Sequence, residues 1–268
     1  MAISVIIPAY NEAKRIEPTL VQIMHYLKTH GDAYEIIIVD DCSTDATQKI
    51  VSRYCNNHIR IVQNKINRGK GFSVKKGILY AKYPLILFSD SDLATPIEEL
   101  KQLMVQINKG NDIAIASRNL EGSMITQQQQ FYRRILGKIF PFFVNIIALR
   151  GFKDTQCGFK LFRADVAKRI ALLQTFERFS FDVEMLFIAQ KLGCKIAEVP
   201  VTWQNKEGST VNPVKDGFLM LIDLFRLRWN NILGKYTITY GEQKFGSPTP
   251  FKSVPFEVRY RAVLENMG

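Results

Sequence analysis

Asp90 and Asp92 stand one residue apart, with Ser91 between them, at the end of the apolar run in LILFSDSDLATP. Two carboxylates so close repel each other, and a sheltered strand end strips them of water, so they call for a compensating cation. Their hard oxygens suit Mg2+ or Mn2+, and Mg2+ is usually completed by phosphate oxygens of a substrate. The types and spacing therefore admit a metal held by Asp90 and Asp92 against a diphosphate. They equally admit a plain strand end that caps the helix expected at TPIEEL.

A phosphatase of the haloacid-dehalogenase type would use one aspartate of such a pair as nucleophile, with Thr or Val two places beyond the second. Here that place holds Ala94, and the pair follows the fourth apolar run rather than the first. Other candidate groups lie in separate loops. Asp40 and Asp41 open DDCSTD, where acids favour a helix start. In NRGKG, Gly69 and Gly71 permit close backbone approach while Lys70 offers a flexible point charge. Arg118 lies in SRN, and Arg133 and Arg134 follow a glutamine-rich stretch; a guanidinium fork suits phosphate, although clustered arginines also form ordinary solvated faces.

Five short apolar runs precede these loops: Ile3 to Ile7, Tyr34 to Val39, Ile59 to Val62, Leu85 to Ser89 and Asp112 to Ala116. They alternate with helical spacing such as Ile16, Leu20, Ile23, Leu27. Strand and helix in alternation predict an α/β fold, a mostly parallel central sheet flanked by helices. The runs are apolar on both faces, as when helices cover both sides, and such sheets gather ligands at the carboxyl ends of their strands. Each candidate loop follows a strand, so their polar groups should converge on one crevice.

The chain has 268 residues, 47% hydrophobic and 23% charged, with a formal net charge of +11. That excess favours an anionic partner: nucleic acid, a phosphorylated substrate or a membrane surface. Nucleic acid is disfavoured because the basic residues do not interleave with a stacking platform. The four cysteines are scattered without a CxxC pair, and nothing like a secretory leader precedes the first strand, so a cytoplasmic location is expected. No apolar stretch reaches the ~18 residues of a membrane span.

The motifs SVIIPAYNEAKRI, EIIIVDDCSTDAT, NKINRGKGFSVKKGI and LILFSDSDLATP occur in this order, followed by IASRNLEG, RRILGK, DTQCGFKLFR and FSFDVEML. Together they resemble the family 2 glycosyltransferases, over roughly residues 1 to 235, and within that family the dolichyl-phosphate sugar synthases, with DTQCGFKLF nearer the glucosyl branch. The resemblance implies a GT-A type nucleotide-diphospho-sugar transferase fold and inverting, metal-dependent transfer of a hexose to a polyprenyl phosphate. UDP-glucose is the favoured donor; GDP-mannose, a soluble or cell-wall glycan acceptor, or a nucleotide-sugar-binding protein without turnover are the alternatives. It assigns the nucleotide sugar to Pro8, Tyr10, Glu12, Asp40, Asp41, Lys70, Asp90 and Ser91. It assigns the metal, Mg2+ or Mn2+, to Asp90 and Asp92, and the chemistry to Asp92, Arg118, Arg134 and Asp154, the last as acceptor-orienting group or base. Relatives carry a basic residue after the Gly-Ser of a late loop, where KEGSTVN has Thr210, with Lys206 as the available substitute.

A lipid acceptor requires docking on the cytoplasmic face of a membrane. Two amphipathic segments, about 131–149 and 215–234, are the expected docking helices, with core packing as their ordinary alternative. Residues 236–268, rich in Gly, Pro and polar residues, read as a tail. Asp182 and Glu184 are expected to hold basic partners in the sheet.

Overall fold

The computed structural model describes residues 2–30, 33–126, 140–206 and 213–237. Its strands are β1 (Ala2–Ala9), β2 (Ala33–Asp40), β3 (Ile59–Gln63), β4 (Leu85–Ser89), β5 (Ile113–Ser117), β6 (Met124–Ile125), β7 (Phe159–Arg163), β8 (Ile196–Pro200) and β9 (Thr202–Trp203). The helices are α1 (Ile16–His30), α2 (Thr47–Ser52), α3 (Lys70–Tyr80), α4 (Leu100–Asn108), α5 (Ala164–Leu173), α6 (Phe181–Lys191) and α7 (Pro213–Ile232).

Seven strands form one sheet in the order β3-β2-β1-β4-β7-β5-β8, and β6 pairs with β9 beside it. β1 pairs in parallel with both β2 and β4, and β5 with β8. All five expected apolar runs are strands. The strands from β6 onward were not among them, and of these β7 enters between β4 and β5 antiparallel to both. Its sequence, FKLFR, has a lysine in mid-strand that suggests exposure, yet Lys160 is fully buried.

Successive strand residues face opposite sides and both sides are covered, which is why no polar alternation appears. In β2, Ile36 and Ile38 join the core layer of α1 and α4, while Ile37 and Val39 join the layer of α3, α5, α6 and α7. Each is wholly buried, and burial of a side chain this size stabilises by about 1.5–3 kcal/mol before chain entropy is counted.

Residues 131–139 of the first amphipathic segment lie outside the described residues, and the described parts of both segments are part core and part surface. Phe140, Val144 and Ala148 are buried, whereas Phe142 and Ile146 of the same stretch are exposed; Val144–Ala148 forms a π-helical turn that packs on α7. Along α7, Met220, Leu224, Leu227 and Asn230 are buried, and Phe218, Leu219, Ile222, Phe225, Trp229 and Ile232 are exposed. Among the described residues, no helix is long and apolar enough to cross a membrane. Tyr236, expected to begin the tail, belongs to the core: its hydroxyl donates to Glu184 Oε1 at 2.7 Å and it is 1% exposed. The rest of the tail lies outside the described residues.

Candidate active site

The loops after β1, β2 and β4 and the start of α3 enclose a crevice of about 410 Å3 at the carboxyl ends of the strands. Pro8, Tyr10, Glu12, Asp41, Lys70, Asp90, Ser91 and Asp92 line it, so eight of the expected residues share one cavity. Arg15, Asn67, Arg178, Phe179 and Asp216 line it as well and were not foreseen. Arg178 and Phe179 come from the turn before α6, and Asp216 from the first turn of α7; nothing local in sequence marks them as neighbours of β4.

The first two loops are tied to each other. Asn11 takes the left-handed conformation at φ 55°, which asparagine tolerates better than most residues, and its Oδ1 accepts the Thr44 N–H at 2.8 Å. The Glu12 N–H donates to Thr47 Oγ1 at 2.7 Å, while the Glu12 carboxylate takes both the Nε and an Nη of Arg15 at 2.7 Å. Glu12 thereby aims Arg15, whose other Nη stands 4.0 Å from Asp92 Oδ2.

Asp40 and Asp41 divide the work expected of them jointly. Asp41 accepts the Asn64 amide at 2.7 Å and the Arg68 and Gly69 N–H groups at 2.9 and 2.7 Å, which fastens the loop leading to Lys70. Asp40 does not line the crevice; its Oδ2 accepts the Ser43 N–H at 3.3 Å, while its buried Oδ1 has no partner. Neither caps α2, because Asp45 takes the Thr47 N–H at 2.9 Å.

Gly69 and Gly71 do permit close approach, but what approaches is the chain itself. A Cβ on Gly69 would stand 2.6 Å from the Glu177 carbonyl oxygen, and one on Gly71 would stand 2.6 Å from Phe181 Cβ and 2.8 Å from the Phe176 carbonyl oxygen. The turn before α6 is thus pressed against the residues on either side of Lys70. The Lys70 ammonium reaches Asp90 Oδ1 at 2.7 Å. Burial works against its charge, but Asp90, Asp182 and Asp92 outweigh burial and raise its pKa above the ordinary lysine value.

Asp90 is set by the chain just before β7. Its N–H donates to the Gly158 carbonyl at 3.0 Å, and a Cβ on Gly158 would fall 2.1 Å from Asp90 Oδ2, so the carboxylate occupies space that only glycine leaves open. Asp92 Oδ1 accepts the Ala94 N–H at 3.0 Å, and the chain turns sharply at Leu93, left-handed at φ 47°. A left-handed leucine is costly and marks a position the surroundings over-determine. Burial first, and then the charge of Asp90, raise the Asp92 pKa.

Arg118 and Asp154 come together beside the crevice rather than in its lining. Asp154 Oδ2 accepts Arg118 Nε at 2.6 Å and the Arg118 N–H at 3.0 Å, and Oδ1 accepts an Arg118 Nη at 2.9 Å and the Gln156 N–H at 3.1 Å. Burial pushes this carboxyl up, but the Arg118 guanidinium overrides it and holds Asp154 below the usual carboxylate range. The Asp154 and Lys153 N–H groups donate in turn to Glu198. Asp154 is 1% exposed with both oxygens occupied, an arrangement that aims Arg118 and leaves no lone pair for taking a proton. Arg134, with Arg133 and Thr210, lies outside the described residues; Lys206 is exposed and donates to Gln204.

The residues fit a divalent ion in one way only. Among the described residues no three or more potential side-chain ligands cluster, so Asp90 and Asp92 can hold such an ion only with its remaining positions filled by diphosphate or water. Their mutual repulsion is what the ion would relieve.

The sheet order, the crevice at the strand ends and the Asp90–Asp92 pair define a glycosyltransferase of the GT-A fold. The profile of Glycosyl transferase family 2 matches residues 4–171, and the chain belongs to that family. It is 40% identical over 251 residues to the dolichyl-phosphate beta-glucosyltransferase of Dictyostelium discoideum, covering 88% of this chain and 76% of that one. The human enzyme of that name is 35% identical over 252 residues, covering 88% and 78%. Among solved structures, mannosyl-3-phosphoglycerate synthase of Rubrobacter xylanophilus superposes with a TM-score of 0.65 at 15% identity, over 92% of this chain and 79% of that one. Glucosyl-3-phosphoglycerate synthase of Mycobacterium tuberculosis, in complex with Mn2+, UDP-glucose and phosphoglyceric acid, gives 0.63 at 17% identity, over 90% and 81%.

Proposed function

We propose that this enzyme transfers glucose from UDP-glucose, with inversion and with Mg2+ or Mn2+, to the phosphate of a membrane-held polyprenyl lipid of the dolichyl type. The names of the relatives support the sugar and the acceptor. The observation that carries the lipid is the placement of α7: Asp216 in its first turn lines the crevice, while Phe218, Phe225 and Trp229 further along stand 62 to 64% exposed. One helix thus runs from the crevice to an exposed apolar face, and Phe142 and Ile146, in and beside the turn that packs on this helix, are exposed as well. An apolar face of this kind with Arg226 exposed beside it suits the anionic headgroup boundary of a bilayer, here the cytoplasmic face.

In this reading Pro8, Tyr10, Glu12 and Asp41 form the nucleotide end, and Asp40 stands behind them, out of the crevice lining, with its Oδ2 on the Ser43 N–H. Asp90 and Asp92 would hold the metal, which supplies charge stabilisation to the departing diphosphate. Lys70 and Arg15 add positive charge at the same corner. Arg118, aimed by Asp154, and Arg134 serve the acceptor phosphate. That phosphate is already anionic near neutral pH, so the site must align and neutralise it rather than deprotonate it.

The test offers the protein labelled UDP-glucose, UDP-GlcNAc or GDP-mannose with Mn2+ and either polyprenyl phosphate or 3-phosphoglycerate, and counts label in the organic and aqueous phases. Glucose in the organic phase, lost in Asp92→Asn, is the expected result; label on 3-phosphoglycerate alone, or transfer undiminished in Asp92→Asn, overturns the reading. Docking is measured by flotation with anionic liposomes at low salt, where attraction is strongest. Phe225→Glu with Trp229→Glu should remain at the bottom of the gradient.

A further inference from the structure

Behind the Asp90 corner lies a second ion pair that the proposed chemistry does not use. Lys160, fully buried in mid-strand β7, bonds to Asp182 Oδ1 and donates to the Cys157 carbonyl at 2.7 Å. Asp182 is 4% exposed. The Phe88 ring is shared by the two lysines: the Lys70 ammonium lies 5.4 Å and the Lys160 ammonium 5.6 Å from its centroid. The neighbour of Asp182, Phe181, sets its ring edgewise on Phe88 at 5.7 Å and its Cβ against Gly71, the residue after Lys70. Two ion pairs, Lys160–Asp182 in the core and Lys70–Asp90 at the crevice, therefore meet at one ring.

A buried pair can be mere architecture, and apolar replacements of such pairs are often neutral. Two features argue for more. Asp182 is oriented by Lys160, and Lys160 shares the Phe88 ring with Lys70, so the charge of Asp182 also acts on Lys70. And Lys70 sits against Asp90 Oδ1, where a divalent ion on Asp90 and Asp92 would repel it at close range.

We propose that Lys70 is the resident counter-ion of the Asp90–Asp92 pair, displaced when a divalent cation binds, and that Asp182, braced by Lys160, receives it. The proposal rests on the metal-dependent reading above. Lysine's four-carbon stem and rotatable donors suit such a move, which a rigid guanidinium fork would resist. Asp182 is then a positioning residue acting through Lys70. Two consequences follow. The cation binds weakly to the free protein because it competes with Lys70, and it binds more tightly once a nucleoside diphosphate supplies charge for both, so metal and nucleotide favour each other's binding.

The experiment titrates the full chain with Mn2+ and reads free Mn2+ by electron paramagnetic resonance, with and without UDP. Without nucleotide, Lys70→Met should bind Mn2+ about tenfold more tightly than the wild type, the scale of a charge-assisted contact removed. Asp182→Asn should bind it several-fold more weakly, and that loss should vanish in the Lys70→Met background. If Asp182→Asn does not fold, the paired replacement Lys160→Met with Asp182→Leu removes the same carboxylate without stranding a charge. Equal affinity of Lys70→Met and the wild type, or an Asp182 effect of the same size in both backgrounds, overturns the proposal while the metal reading stands. Failure of the wild type to bind Mn2+ even with UDP overturns both.

Discussion

Asp41 and Asp154 differ from Asp90 and Asp92 in what surrounds their oxygens, not in residue type. The first two are well supplied with donors: Asp41 by an amide and two backbone N–H groups, Asp154 by a bidentate guanidinium and two backbone N–H groups. The second two repel each other and are held by one lysine, one backbone N–H and an arginine at 4.0 Å. Carboxylates rich in donors organise loops; those poor in donors retain the most capacity to take a ligand. The contrast sorts four aspartates that a motif search would group together.

The sharpest way to break this contrast is Asp92→Asn. Transfer should fall at least about a hundredfold, because the proposed charge-stabilising ion would lose a ligand. The urea midpoint should hold or rise, because burial and Asp90 already disfavour the Asp92 carboxylate in the folded state. A clear loss of stability would place Asp92 with the architectural pair. Asp154→Asn should do the reverse first: it strands Arg118 and costs about 3 kcal/mol in urea unfolding. The Asp154 pKa is lowered in the folded protein, so its contribution is present above the ordinary carboxylate range near pH ~4 and disappears as pH falls through the lowered value. The gap between wild type and Asp154→Asn should therefore close on acidification, and a gap that stays constant would remove the ion pair as its cause.

Gly158→Ala tests the donor-poor pair without touching a charge. The new methyl would overlap the Asp90 carboxylate and swing it away, with a loss of about a hundredfold in transfer, as expected of an ångström-scale misplacement. Activity near wild type would mean that the Asp90 position is not critical. The smallest effect belongs to Asp41→Asn, which opposes one backbone N–H with an amide and should cost about 1–2 kcal/mol in stability. A loss of transfer as large as that of Asp92→Asn, with the urea midpoint unchanged, would make Asp41 a reacting-site residue instead.

Much of this was legible in the sequence because strands buried on both faces leave unbroken runs of Ile, Val and Leu, and the loops that follow them must gather at one edge. Eight of the expected residues line the crevice for that reason. What was not legible arises from tertiary contacts. Asp40 and Asp41 are adjacent letters, yet one is filled with N–H donors and the other keeps an empty oxygen. Gly69 and Gly71 suggest a phosphate cradle, but the chain's own turn before α6 occupies the space they leave. Lys160 disguised β7 because its partner, Asp182, is supplied from another helix. Of the two acids expected to hold basic partners, Asp182 does, while Glu184 accepts from Thr175, Phe176 and Tyr236.

The insertion of β7 has a consequence for how the enzyme assembles. β4 and β5 never touch; each waits for a strand that follows β5 by more than forty residues in the chain. As the polypeptide emerges from the ribosome, the first four strands can zip together alone, but their outer border stays bare until Phe159–Arg163 is made. The same late segment delivers Gly158 to Asp90 and Lys160 to Asp182, so the proposed catalytic corner is finished only when the sheet is sealed.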